Sequence, residues 1–205
     1  PEKQIVEHLS RLDPTKFRGV LGSYIEKNVP NSMLQGAEMR GITTFSIPMR
    51  SPIDFSALRL LEKQLSMHGV DLLCTHHYKS TIMGWYTGRR LGIPVIAFSR
   101  GYTSENFRIS LYEWLERRFL GRVNGVVSVS QGQLDKLKQF GVKPRREWII
   151  HNAVTTCSSL SDVNVHAKRE VCSLFNISEE KFLIVTAGRL SPEKGHRFLI
   201  DAIGK

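Results

Sequence analysis

Short apolar segments alternate with helical patterns along the first 150 residues of this 205-residue chain. The apolar segments predict strands at Phe17–Ile25, Ile42–Ile47, Val70–Thr75, Pro94–Phe98, Val126–Val129 and Trp148–Ile150. The segments between them show helical spacing around Pro30–Met39, Phe55–Met67, Ser80–Leu91, Phe107–Arg122 and Gln131–Phe140. Repeated strand–helix units of this kind predict an α/β fold with a doubly wound parallel sheet.

A glycine followed by an aliphatic residue stands just after four of the predicted helices. These glycines are Gly41, Gly69, Gly92 and Gly141. A glycine at this position can take the left-handed conformation that ends a helix before the chain turns into the next strand. The glycines therefore support the division of the chain into strand–helix units.

A glycine turn with two cations lies near the end of the chain. The apolar run Phe182–Val185 predicts a buried parallel strand before the turn, and apolar residues from 198 to 203 predict a helix after it. The turn contains Gly188, Arg189 and Lys194. A strand, a glycine turn and a helix N-terminus form a phosphate-binding arrangement in α/β proteins, because the free N–H groups and the helix dipole attract anions.

The residues inside this turn suit the start of a helix. Ser191 is a favourable N-cap residue, and Pro192 is favourable at the first helical position. The spacing alone leaves two interpretations open: a phosphate site, or an ordinary strand-to-helix loop with solvated Arg189 and Lys194 side chains.

Three segments of the chain resemble known motifs. The turn Gly-Arg-Leu-Ser-Pro-Glu-Lys-Gly at 188–195 resembles the signature of retaining glycosyltransferases of the GT-B fold, family 4. Val126–Ser130 resembles a strand of that family that ends in Val-Ser, and Ile149–Val154 is similar to its I-x-N-G-V segment at the domain crossover. The resemblance covers essentially the whole chain and implies a Rossmann-like GT-B architecture.

The resemblance also implies a domain organisation. Residues 1–154 would form the N-terminal acceptor-side domain, the polar residues 155–166 the linker, and residues 167–205 the start of the C-terminal nucleotide-sugar-binding domain. A first strand and a Gly-rich loop of the family would precede this chain, and the Glu-x7-Glu pair of the family would follow it. The chain is therefore expected to be truncated at both ends and inactive by itself.

The function implied by the resemblance is hexosyl transfer from a nucleotide-diphosphate sugar to an acceptor hydroxyl, with retention of configuration, in cell-surface glycan or glycolipid synthesis. Arg189 and Lys194 would hold the diphosphate and stabilise its charge as it leaves. Gly188 and Asn152 would complete the donor site. Neither a cofactor nor a metal is expected, because the cations and a helix end would neutralise the diphosphate.

Ligands in open parallel sheets bind at the carboxyl ends of the strands. The strand Val70–Thr75 leads directly into His76 and His77, which are expected to contact the acceptor or the sugar. The alternative is a surface loop whose imidazoles cap the next helix. A metal site is disfavoured because adjacent histidines point apart and no Cys or carboxylate stands at ligand spacing.

The strand Pro94–Phe98 leads to Arg100, at a position where the family commonly has the His of a His-Gly pair close to the transferred sugar. Arginine stays protonated and cannot act as a general base, but its planar fork suits a carboxylate or a phosphate. Arg100 is therefore expected at the catalytic centre without an acid/base role, and Tyr102 is expected to help form the acceptor cleft.

The chain is basic, with 29 Lys and Arg against 19 Asp and Glu and a net charge of +10. Arg117, Arg118 and Arg122 cluster on one predicted helix, whose Leu111, Leu115 and Phe119 are expected to pack against the sheet. The charge is compatible with an anionic membrane surface or with solubility alone. Nucleic-acid binding is disfavoured because no recognised binding motif accompanies the charge.

Three widely spaced cysteines, Cys74, Cys157 and Cys172, argue against a disulfide framework and for a reducing compartment. No apolar run approaches the length of a membrane span. The protein is therefore expected in the cytoplasm, with peripheral association at the inner membrane face as an option. Two alternatives to a transferase stay open: a non-catalytic basic binding protein on this fold, which Arg100 favours, and a GT-B sugar-nucleotide epimerase.

Overall fold

The structure, a computed structural model, describes residues 2–26, 31–49, 54–101, 107–153 and 160–204. The chain divides into two compact units, residues 1–154 and 155–205. The strands of the first unit are β1 (Val20–Glu26), β2 (Thr43–Met49), β3 (Leu73–Thr75), β4 (Val95–Ser99), β5 (Gly125–Ser128) and β6 (Glu147–Ile149). Its helices are α1 (Glu2–Ser10), α2 (Ser32–Glu38), α3 (Phe55–Met67), α4 (Tyr78–Leu91), α5 (Phe107–Leu120) and α6 (Gln131–Gln139).

All pairing between the described strands is parallel. β1 pairs with β2, and the other strands form a four-stranded sheet in the order β3-β4-β5-β6. The register of the larger sheet places Leu73 opposite Val95, and Val126 opposite Glu147. The six predicted strands and the α/β class are therefore confirmed. The strands form two sheets, because neither β1 nor β2 pairs with a described strand of the larger sheet.

Three clusters of buried apolar side chains connect the helices to the sheets in the described part of the chain, and two of them involve the larger sheet. One cluster joins Ile47 of β2, Leu61 and Leu65 of α3 and Met83 of α4, and Leu73 of β3 packs against it. The helices α3 and α4 thereby link the two sheets. The other cluster buries Val126 of β5 between its neighbours, together with Val95, Ala97, Leu120, Val123, Leu137 and Val142. Each large aliphatic side chain buried in this way contributes about 1.5–3 kcal/mol.

The helix-ending glycines behave as their sequence positions predict. Gly41, Gly69, Gly92 and Gly141 all have positive φ angles, of 72°, 57°, 71° and 77°. Gly92 is the C-cap of α4, and its N–H donates to the Gly88 carbonyl. A side chain at this left-handed position would be strained, so glycine allows α4 to end and the chain to enter β4 within a few residues.

Two glycines of α4 face the sheet at distances that leave no room for a side chain. A Cβ atom on Gly84 would lie 2.7 Å from Cγ2 of Thr75. A Cβ atom on Gly88 would lie 2.4 Å from Cγ2 of Val95 and 2.8 Å from the carbonyl oxygen of Ile93. Gly84 thereby allows the close packing of α4 on β3, and Gly88 allows its close packing against β4, which together position the loop between β3 and α4.

The orientation of α5 differs from the expected one. Leu111, which was expected to pack against the sheet, is 49% exposed, while Leu115 and Phe119 are half-buried and Leu120 is fully buried. Aromatic contacts with α4 set this orientation: Tyr112 stacks on Tyr78 with ring centroids 4.6 Å apart, and Phe119 contacts Trp85 edge-on at 5.1 Å. The prediction of Leu111 as a core residue is therefore wrong.

The second unit contains α7 (Leu160–Leu174), a short 3-10 turn (Pro192–Lys194) and α8 (His196–Ile203). The strand predicted at 182–185 is wrong, since this segment pairs with no described strand and Phe182 is 92% exposed. A strand is stabilised by its hydrogen-bonded ladder, and an apolar run without a pairing partner stays irregular.

The helix α7 also begins earlier than expected. Residues 160–166, which were expected to belong to the linker, are helical. Their polar composition favours a loop, but Leu160, Val163 and Ala167 continue the helical spacing of the residues that follow.

Candidate functional site

His76 and His77 form the whole connection between β3 and α4. The hydroxyl of Ser80 accepts a hydrogen bond from the N–H of His76 at 3.1 Å and donates one to the carbonyl of His77 at 2.8 Å. The side chain of His77 makes no capping hydrogen bond. The first turn of α4 is therefore held by Ser80, and the alternative that the imidazoles cap this helix is not observed.

The imidazole of His76 is mostly buried. It stacks on the ring of Phe98 with centroids 4.4 Å apart, and its Nδ1 atom is buried without a hydrogen-bond partner. Burial, and secondly the positive charge of Arg100, lower the pKa of His76 to about 4. The ring is consequently neutral near pH 7, with an Nδ1 atom that can exchange a hydrogen bond with a bound ligand.

His77 has a strained backbone. Its φ angle is +124°, which is uncommon for a residue with a side chain and costs about 1–3 kcal/mol. Its ring lies 4.3 Å from that of Tyr78, and burial, followed by the charge of Lys79, lowers its pKa. Backbone strain of this kind is concentrated at ligand-binding sites in proteins, and here it occurs next to the buried His76.

Arg100 connects three parts of the first unit at the end of β4. Its Nη1 atom donates to the side-chain oxygen of Gln4 in α1 and, at 3.4 Å, to that of Asn152 after β6. Its Nε atom is buried and has no hydrogen-bond partner. Burial lowers the pKa of the guanidinium group. Two of the predicted site residues, Arg100 and Asn152, are thus in contact.

Gln4 is a site residue that the sequence analysis missed. Besides accepting from Arg100, its amide nitrogen donates to the carbonyl of Ala153 at 3.0 Å. The amide therefore ties α1 to the segment after β6. A polar residue on an amphipathic surface helix gives no sequence signal for this role, because its partners lie 96 and 149 positions away.

The ends of β4 and β5 add further polar contacts to the same edge. The amide of Gln133 donates to the hydroxyl of Ser99 at 2.9 Å, and both side chains are buried. Ser130 caps α6 by accepting from the N–H of Gln133 at 3.2 Å. The Nδ1 atom of His151 lies 3.1 Å from the carbonyl oxygen of Val129. Polar residues thus follow all the strands of the larger sheet at its carboxyl edge, where parallel sheets bind ligands.

The cationic turn of the second unit is helical where its sequence predicts a helix start. Ser191 has an extended backbone and precedes the 3-10 turn, which begins at Pro192. The turn ends at Gly195 with a φ angle of +67°, and α8 begins at His196, whose Nε2 atom lies 2.9 Å from the Arg189 carbonyl oxygen. Because Pro192 has no N–H, the first helical N–H group of this turn belongs to Glu193.

The side chains of this turn stay accessible. Arg189 and Lys194 are exposed. The hydroxyl oxygen of Ser191 is buried and has no hydrogen-bond partner. A Cβ atom on Gly188 would make ordinary contacts at 3.5 Å, so the described neighbours do not require glycine there. Two exposed cations beside the start of a helical turn suit an anion such as a diphosphate.

Two predictions, the role of Tyr102 and the absence of a metal requirement, are not tested by these contacts. Tyr102 lies outside the described residues. Among the residues that the structure describes, no three His, Cys, Asp or Glu side chains lie close enough together to hold a metal ion. Within the same residues, no helix is long and apolar enough to cross a membrane.

The buried His76 is expected to make the fold sensitive to acid. Its pKa in the folded state is about 4, against 6.5 in the unfolded chain, so between these values only the unfolded chain binds the proton. The free energy of unfolding should therefore fall by up to about 3 kcal/mol as the pH decreases from 6.5 to 4. His76→Asn should reduce this fall, while both proteins show the same slope above pH 6.5. Urea unfolding across the pH range measures it, and equal acid slopes would contradict a neutral His76.

The parallel α/β fold of this chain is that of GT-B glycosyltransferase structures. HepE (Alr3699) of Anabaena, solved in complex with UDP, matches with a TM-score of 0.73 at 17% identity, over 98% of this chain and 53% of that chain. A glycosyltransferase of Rickettsia africae ESF-5 matches with a TM-score of 0.72 at 15% identity, over 98% of this chain and 52% of that chain. The chain thus spans about half the length of these solved structures.

The sequence itself identifies the family. The model of Glycosyltransferase Family 4 matches residues 29–157. The chain belongs to this family, as its motifs suggested. No curated protein matches it in sequence. The matched segment contains His76, Arg100 and Asn152, whereas the cationic turn at 188–195 lies beyond it.

Proposed function

We propose that the complete protein transfers a hexose from a nucleotide-diphosphate sugar to an acceptor hydroxyl with retention of configuration. The observation that carries the proposal is the carboxyl edge of the β3–β6 sheet, where His76, Arg100 and Asn152 follow different strands within the family-matched segment. A neutral imidazole, a cation and an amide give this edge the hydrogen-bonding groups that recognise sugar hydroxyls and an anionic group.

The donor diphosphate is proposed to bind in the second unit. Arg189 precedes a helical turn and Lys194 ends it, and both cations are exposed. The first N–H group of the turn follows Pro192. The two cations stabilise the charge that develops on the diphosphate as the bond to the sugar breaks. Gly188 belongs to the same donor turn. Charge neutralisation by these groups removes the requirement for a metal or another cofactor in this proposal.

The proposed chemistry uses the leaving diphosphate as the base. The bond from the anomeric carbon to the diphosphate oxygen breaks, the acceptor oxygen bonds to that carbon on the same face, and the acceptor proton moves to the diphosphate. Arg100 stays protonated and takes no proton. Its unpaired Nε atom provides a directed donor for an anionic group of the donor or acceptor. Asn152 orients Arg100 through their shared hydrogen bond, and His76, His77 and Tyr102 complete the sugar-binding surface.

The acceptor is proposed to be a saccharide of a cell-surface glycan or a lipid-linked saccharide, and the enzyme to act in the cytoplasm at the inner membrane face. The net charge of +10 favours an anionic surface near the acceptor. The thiols of Cys74 and Cys172 are unpaired, as is usual in a reducing compartment.

The test is turnover by the complete protein with a panel of nucleotide sugars. UDP-glucose comes first, because HepE was solved in complex with it. Release of the nucleoside diphosphate should depend on an added acceptor, and NMR of the product should show the anomeric configuration of the donor. Tight binding without release would instead support the binding-protein alternative, which the cation at Arg100 favours. Appearance of a second nucleotide sugar would support an epimerase.

A further inference from the structure

The outer surface of α4 and α5 carries exposed aromatic and aliphatic side chains together with arginines. This α4–α5 face consists of Tyr86, Arg89, Leu111, Trp114, Arg118 and Arg122. Tyr86, Leu111 and Trp114 are each about half exposed, at 52%, 49% and 53%. We propose that the α4–α5 face is a docking surface for an anionic phospholipid bilayer. The inference does not depend on the transferase activity, because it concerns a different surface from the carboxyl edge of the sheet.

The residues on α5 form one continuous stripe. Leu111, Trp114 and Arg118 are spaced by three and four residues and so lie on the same side of the helix, and Arg122 follows one turn later. The carboxylates of this helix lie elsewhere: Glu113 and Glu116 are each only 9% exposed. The stripe therefore carries positive charge and apolar surface with no exposed carboxylate of its own helix.

Arginines and aromatic rings are combined where α4 meets α5. The guanidinium carbons of Arg89 and Arg122 each lie 5.8 Å from the centroid of the Trp85 ring, and that of Arg122 lies 5.4 Å from Phe119. These cations sit beside an open groove of about 540 Å³ lined by Trp85, Tyr86, Arg89 and Arg90. A groove of this volume has room for a lipid headgroup beside the rings.

The charge of the face is not neutralised by the rest of the described chain. Arg90 pairs with Glu62 at 3.1 Å, but Arg89, Arg118 and Arg122 form no ion pair with any residue that the structure describes. Tryptophan and tyrosine favour the membrane–water interface, and long basic side chains reach the headgroups while their stems stay on apolar surface. The unpaired arginines match the anionic headgroups of a bilayer surface, and the half-exposed aromatic rings match the apolar boundary below them.

Vesicle sedimentation with the complete protein tests the proposal. No sugar donor or acceptor is added, so failure here is separate from failure of the transferase assay. The protein should bind vesicles that contain phosphatidylglycerol and not vesicles of phosphatidylcholine alone. The double variant Arg118→Gln/Arg122→Gln should bind the acidic vesicles at least tenfold more weakly, because the loss of each arginine should weaken binding about fivefold. Trp114→Ala should also weaken binding, because it removes the apolar contact without changing the charge.

A matched control removes the same charge from other helices. Lys3→Gln/Arg59→Gln alters exposed cations of α1 and α3 and should reduce binding much less than the Arg118/Arg122 pair. Equal losses in both double variants, or equal binding to neutral vesicles, would overturn the proposal. An absence of vesicle binding would also overturn the proposal. Retention of DNA or an acidic protein under those conditions would then identify a different partner for this face. Circular dichroism should be unchanged in all variants, since every altered side chain is exposed.

Discussion

Replacing Arg189 or Lys194 by alanine in the complete protein is expected to weaken nucleoside-diphosphate binding by about 10- to 100-fold for each substitution. Each cation would make charge-assisted hydrogen bonds to phosphate oxygens, which contribute about 1.5–3 kcal/mol. Both side chains are exposed, so the fold should lose little stability. Isothermal titration with UDP or GDP measures the affinity, and thermal unfolding without ligand measures the stability.

The matched control for this prediction is Arg197→Ala. Arg197 is an exposed cation on α8, just after the turn, and its contact with Asp201 spans 3.8 Å. Its removal lowers the net charge by the same amount but should change diphosphate affinity severalfold less. Equal losses in all three variants would indicate a general charge effect. Unchanged binding in both Arg189→Ala and Lys194→Ala would remove the phosphate assignment.

Gly88→Ala is expected to destabilise the first unit by about 1–3 kcal/mol, whereas Gly36→Ala should stabilise it by about 0.5–1 kcal/mol. The added methyl group at position 88 would collide with Val95 and with the backbone of Ile93, which cannot move without shifting β4. At position 36 a Cβ atom meets nothing within 4 Å, so the substitution only improves helix propensity.

Urea unfolding of the two alanine variants measures this difference. Both positions are helical and receive the same methyl group, so the comparison isolates the contact between α4 and the sheet. Since that contact positions the His76–His77 connection, Gly88→Ala should also weaken any ligand bound at that edge. Equal stabilisation by both substitutions would show that α4 does not lie against β4 at the described distance.

The sequence predicts the elements well because each has a local signal. Apolar runs mark β1 to β6, and Gly92 marks the end of α4 through a conformation that other residues adopt at a cost. Two of the failures, the packing of Leu111 and the strand at 182–185, have tertiary causes. Leu111, Leu115 and Phe119 are spaced like a core stripe, but aromatic contacts with α4 decide the rotation of α5. The run at 182–185 has strand composition and no described strand to pair with.

The candidate site was predictable only in outline. Parallel strands deliver their following residues to one edge, so His76, His77, Arg100 and Asn152 could be expected near each other. The contact of Arg100 with Gln4 could not be expected from the sequence, because it joins residues 96 positions apart through the packing of α1. The strain at His77 and the buried Nδ1 of His76 also depend on the three-dimensional surroundings and leave no pattern in the sequence.

The connection between β3 and α4 is only two residues long, and it is clamped at both ends. Thr75 belongs to the sheet, and movement of α4 away from it would open the close contacts at Gly84 and Gly88. An inserted residue would have to displace α4 or break the Ser80 bonds at His76 and His77. During evolution this part of the edge is therefore free to change its ligand preference by substitution but not by loop growth. Libraries that vary the ligand of the proposed site should change the side chains at 76 and 77 and keep the length fixed.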